Sequence, residues 1–87
     1  MDRIKPGKIL KVGYGIENNH VDVTEKVLKN YVYNRTIYLP ECDVSRAQLL
    51  GDPFHGVVKD IIITDGQLQT LFPRGCKIMY NIEHLIN

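Results

Sequence analysis

The chain has 87 residues with 11 basic and 10 acidic side chains, a net charge of +1, 44% hydrophobic and 24% charged content. That length allows one modest core, with about two thirds of the chain surface buried on folding, and excludes a two-domain enzyme with a separate cofactor domain. The composition excludes disordered, collagenous and coiled-coil classes, and the near-neutral charge provides no global field toward nucleic acid or an anionic membrane.

Residues 8–14 favour a first strand, with Leu10, Val12 and Tyr14 on one face and Ile9, Lys11 and Gly13 on the other. A loop over residues 15–19 leads to a second short strand at His20–Thr24, with Val21 and Val23 turned the same way. Thr24 can accept from an exposed backbone N–H, and Val27, Leu28 and Tyr31 recur at near-helical spacing, so one or two helical turns are predicted. Asn34-Arg35-Thr36 matches a glycosylation sequon and is read as a turn. The run from Tyr33 to Leu39 returns to strand character and closes at Pro40. Residues 41–56, with Gly51, Pro53 and Gly56, are expected to form a long ordered loop.

Asp65-Gly66 suits a type I′ turn pairing Thr64 with Gln67, Ile63 with Leu68 and Ile61 with Thr70. One hairpin face then carries Ile61, Ile63, Leu68 and Phe72, and the other Asp60, Ile62, Gln69 and Leu71. Pro73-Arg74-Gly75 turns the chain into a last strand, Cys76–Ile82, with Ile78, Tyr80 and Ile82 in phase. The expected fold is all-β: one antiparallel sandwich or small barrel of about six strands with at most one short helix. A single domain spans 1–87, with 1–7 as a flexible arm and 83–87 as a tail that frays.

Two cysteines, Cys42 and Cys76, allow at most one bridge, whereas small secreted domains carry several. The expectation is a reducing, cytoplasmic setting, with a Cys42–Cys76 pair left open. The opening residues are polar and broken by Pro6 and Gly7, so they offer no apolar signal segment. The longest apolar run, Ile61–Ile63 with Val57 and Val58 upstream, is far short of the roughly 20 residues that cross a bilayer.

Ile9-Leu10-Lys11-Val12-Gly13-Tyr14-Gly15, Val21-Asp22-Val23-Thr24, Ile37-Tyr38-Leu39-Pro40, Gly51-Asp52-Pro53 with Gly56, and the Val57–Ile63 strand together resemble one family. It is the small domain of unknown function at the C-terminus of a DnaJ-like mitochondrial J-protein and in stand-alone fungal and protist proteins. The resemblance covers roughly residues 8–80 and implies a β-rich interaction module without catalytic residues. This chain has no J domain and no His-Pro-Asp signature, so Hsp70 stimulation does not carry over. The abundance of Ile, Asn and Lys also resembles small proteins of large amoeba-infecting DNA viruses, which implies a virion location as a second expectation.

Asp52 and His55 within Gly51–Gly56 could act as an acid/base pair, but the segment is read as a rigid turn. No nucleophile elbow surrounds Ser45 or Cys42. The metal-capable residues His20, Asp22, Cys42, Asp43, Asp52, His55 and His84 show no paired ligand spacing, so neither metal nor cofactor is expected. Gly13-Tyr14-Gly15 lacks the ending of a phosphate loop and is read as letting a strand bulge.

The leading expectation is a non-catalytic structural or protein-interaction module that forms a homo-oligomer. It would pair through the sparsely charged Cys76–Ile82 edge or pack Ile62, Leu71, Tyr80, Ile82, Leu85 and Ile86 against a second copy. The competing expectation is a nucleic-acid-binding barrel with a basic arm of Arg3, Lys5, Lys8 and Lys11. Tyr14, Tyr31, Tyr33, Tyr38 and Tyr80 would then stack bases from one exposed face.

Overall fold

The computed structural model describes residues 3–51 and 56–86. In chain order these form β1 (Leu10–Ile16), β2 (Asn19–Asp22), α1 (Thr24–Asn30), β3 (Val32–Tyr33), β4 (Thr36–Leu39), α2 (Asp43–Leu50), β5 (Asp60–Asp65), β6 (Leu68–Phe72), β7 (Ile78–Asn81) and a 3₁₀ turn at Glu83–Leu85. Two antiparallel sheets result, one in the order β2-β1-β5-β6 and one in the order β3-β4-β7. The mostly β architecture agrees with the sequence.

Period-2 patterning explains the core. Leu10, Val12 and Tyr14 turn inward from β1 and meet Ile61 and Ile63 of β5. Ile37 and Leu39 of β4, Ile78 of β7, Val27 of α1 and Leu50 of α2 complete one apolar cluster. At the β3–β4 hairpin, Asn34 and Arg35 take φ of 51° and 59°, as a primed two-residue turn requires. The turn and the strand run expected around it are thus one feature.

Helix α1 starts where expected but is held differently. Thr24 Oγ1 accepts from the Val12 N–H of β1 at 2.8 Å, and Asp22 accepts from the Thr24 N–H at 2.9 Å. Val21 lies opposite Tyr14 and Val23 N–H donates to Val12 O at 2.9 Å, so the two valines share the inward face as expected, with Val23 buried and Val21 left partly open at the sheet edge.

The β5–β6 hairpin is displaced by two residues from the expected register. Asp65 pairs with Leu68, Ile63 with Thr70 and Ile61 with Phe72. Asp65 points inward, accepting from Tyr80 Oη at 3.0 Å and bonded to His84 Nε2 at 2.5 Å. This holds it in the strand and leaves Gly66 and Gln67 to turn. A two-residue slip keeps every side chain on its face, so the face assignment stands although the pairing differs.

Two further expectations are corrected. Residues 43–50, read as loop, form α2, so the described residues contain two α-helices. Its inward face is Arg46 and Leu50, one turn apart, and Arg46 is fully buried. The guanidinium donates to Pro40 O at 2.7 Å, Phe72 O at 3.2 Å and Cys76 O at 2.6 Å, a use of its planar fork that an ammonium cannot match. The helix start is tied down by Asp43, which pairs with the buried Lys59 at 3.2 Å and accepts from Tyr14 Oη at 2.9 Å. Burial pushes the Asp43 carboxyl up, but the hydrogen bonds from Tyr14 and Lys59 hold it below its ordinary value.

The C-terminal segment is the second correction. Ile82, Leu85 and Ile86 lie in the core, Ile4 bridges Ile86, and Lys5 N–H donates to Leu85 O at 2.7 Å. Both ends of the described chain are therefore packed together where an arm and a fraying tail were expected.

Candidate functional site

The solvent face of the larger sheet is built from residues whose parity turns them away from the core. On β1 these are Lys11, Gly13 and Gly15, and cross-strand register aligns them in rungs. One rung is His20–Gly15–Asp60. The next is Asp22–Gly13–Ile62, which continues to Leu71 on β6.

Strands β2 and β5 lie on either side of β1, so their backbones are about 10 Å apart. Even so, His20 Nε2 and Asp60 Oδ1 meet at 2.5 Å. Glycine makes this possible: a Cβ on Gly15 would stand 2.3 Å from Asn19 O, and one on Gly13 would stand 3.0 Å from His20 Cβ. The expected bulge is absent, for β1 pairs without interruption on both sides. The glycines instead floor a trough that the His20–Asp60 pair crosses. The pair is mostly sheltered, with side chains 15% and 28% exposed.

Hollows open on both sides of His20. One, of about 420 Å³, is lined by Lys11, Gly13, Asn18, Asp22, Ile62, Thr64 and Gln69. The other, of about 490 Å³, is lined by Glu17, Asn18, Asp60, Ile62 and Leu71. The Asp22 carboxyl lies below its ordinary value, chiefly through the hydrogen bonds from Thr24, with the Lys11 charge adding to them.

The same sheet ends at β6. Its outer backbone edge pairs with no strand among the described residues, and Leu68-Gln69-Thr70-Leu71-Phe72 contains no charged side chain. Leu68 and Leu71 are 63% and 56% exposed. β6 is the longest of the four edge strands. β7, the edge favoured from sequence, is shorter and turns Ile78 and Tyr80 inward.

Of the six expected interface residues, Ile62 and Leu71 are cross-strand neighbours on the outer face. Tyr80 faces inward, edge-on to Phe72 at 6.4 Å. Burial, and then the Asp65 carboxylate, push its phenol up. Ile82, Leu85 and Ile86 are core residues and cannot meet a second copy. Arg3, Lys5 and Lys8 are exposed near the Ile4–Ile86 bridge, while Lys11 lies on the trough. The tyrosines form no common platform: Tyr14 is buried, Tyr31 bonds Leu49 O, Tyr80 is internal, and Tyr33 and Tyr38 lie on the other sheet.

Asp52 and His55 lie outside the described residues. His84 engages Asp65, Cys42 and Cys76 are free and exposed, and no group of three or more metal-capable side chains gathers among the described residues. Among the same residues, no helix is long and apolar enough to cross a membrane.

The His20–Asp60 pair was missed from sequence, although half of it was readable. A two-residue turn at Glu17-Asn18, with Asn18 at φ 59°, mirrors Gly15 onto His20. Asp60, 40 residues further on, carried no such local signal. No protein-family model, no curated protein and no solved structure matches this chain.

Proposed function

We propose that this chain is a non-catalytic interaction module that self-associates by pairing β6 edge to edge with a second copy. The observation that carries this reading is the five-residue uncharged edge of β6, with Leu68 exposed at its start and Leu71 exposed beside Ile62 on the outer face. Natural edges are normally blunted by charge, proline or a covering element; β6 has no charge or proline within its span, and no strand among the described residues pairs with its outer edge. A two-fold axis at Thr70 would set Leu68 against Phe72 and Gln69 against Leu71 of the partner, joining two four-stranded sheets. Such an isologous contact closes on itself and forms a dimer.

The non-catalytic part rests on the histidines. His20 and His84 each engage a carboxylate, and neither bonds a hydroxyl or thiol among the described residues. Kinship with the J-protein C-terminal domain belongs to the same proposal. The segments that carry it fall in β1, the β2–α1 junction, β4 and β5, with Gly51-Asp52-Pro53 partly outside the described residues. A place in a viral particle is proposed from composition, and self-association would suit it.

Light scattering on the chain and on Leu71→Lys tests the reading. A dimer at tens of micromolar that Leu71→Lys converts to a folded monomer is the expected result. A monomeric parent chain would overturn it.

A further inference from the structure

We infer that the glycine-floored hollow beside His20 binds a small uncharged polyhydroxylated ligand, of the size of a mono- or disaccharide. The hollow measures about 420 Å³, within the range of small-molecule sites. Its lining combines Asn18, Thr64 and Gln69 with Lys11 and Asp22, so it offers both donors and acceptors, as hydroxyl groups need. Gln69 Nε2 already reaches Thr64 Oγ1 at 3.4 Å, a long contact that a ligand hydroxyl can replace.

Charge decides against an ionic ligand. His20 is closed onto Asp60, and the lining holds one cation, Lys11, and one anion, Asp22, so neither sign prevails in the hollow. What remains is neutral hydrogen-bonding capacity around Gly13 and Ile62, with Ile62 offering an apolar floor for the C–H face of a ring. Lys11, Asp22, Ile62, Thr64 and Gln69 stand on paired strands, where side chains hold position better than on loops. The hollow opens on the face of the sheet and only Gln69 of its lining belongs to β6, so the inference does not rest on β6 pairing.

The test is a ¹H–¹⁵N titration of the full chain with glucose, galactose, N-acetylglucosamine and maltose, with spermidine and inorganic phosphate as charged probes. At least one sugar is expected to shift the Gly13, His20, Ile62 and Gln69 amides saturably, with a Kd on the order of 1 mM. Asn18→Gly, which keeps the positive-φ turn, and Gln69→Ala should each weaken binding about tenfold while leaving the remaining spectrum in place. The inference is overturned if no sugar gives saturable shifts at those amides, if only spermidine or phosphate does, or if both variants bind as the parent does.

Discussion

His20 and Asp60 belong to strands that do not pair with each other, yet their side chains meet at 2.5 Å above Gly15 of the strand between them. Gly15 itself leaves no room for a Cβ, which would stand 2.3 Å from the Asn19 carbonyl oxygen. Gly15→Ala is therefore expected to lower stability by about 3 kcal/mol through overpacking against Asn19 O. A double-mutant cycle on His20→Ala and Asp60→Ala should return a coupling of about 1 kcal/mol in urea unfolding. A coupling near zero would mean that the bond contributes nothing to the fold.

Arg46 makes the second prediction. Its guanidinium satisfies three carbonyls from separate segments, the Pro40 loop, the end of β6 and the approach to β7. Arg46→Met strands those acceptors and should cost at least about 3 kcal/mol. Arg46→Lys should be nearly as damaging, because an ammonium cannot span the three positions. A mild effect of Arg46→Lys in urea unfolding would contradict the assigned role.

Acid sensitivity follows from Asp43 and Asp65. Burial pushes the Asp65 carboxyl up, but hydrogen bonds from His84 and Tyr80 outweigh it, and both carboxyls lie below their ordinary values. A carboxyl depressed in the folded state stabilises fully above its unfolded pKa of about 3.9. That contribution is lost as pH falls through the folded value. Urea midpoints should therefore drop below about pH 4, and Asp65→Asn should flatten the drop while lowering stability at neutral pH.

Cys42 sits at the N-terminal boundary of α2, where the Ser45 and Val44 backbone N–H groups, in that order, hold its thiol below the ordinary value. Its rate of carboxymethylation should rise with an inflection below about pH 8.5, measured by peptide mapping of the intact folded chain. An inflection at or above that pH would contradict the influence of the helix start on this thiol.

Much of the fold was legible because apolar residues alternate where strands are half-buried. Leu10, Val12 and Tyr14 declared β1, and Ile61 and Ile63 declared β5, in each case by parity alone. The β5–β6 register was not legible, since it depends on Asp65 binding Tyr80 and His84, which are 15 and 19 residues away. Helix α2 stayed hidden because its inward face holds an arginine, and a charged residue at a core position breaks apolar periodicity. The tail misled for the opposite reason: its apolar side chains were assigned to a partner, when Ile82, Leu85 and Ile86 complete this chain's own core. For the trough, Gly13 and Gly15 were noticed, but their purpose lies in side chains from neighbouring strands.

The proposed self-association is tested most directly by amide hydrogen exchange along β6 at low and high protein concentration. Edge pairing predicts that amides within Leu68–Phe72 exchange more slowly as concentration rises, while those of the opposite edge, β2, do not change. β6 amides that exchange at one rate across the whole range would contradict the account.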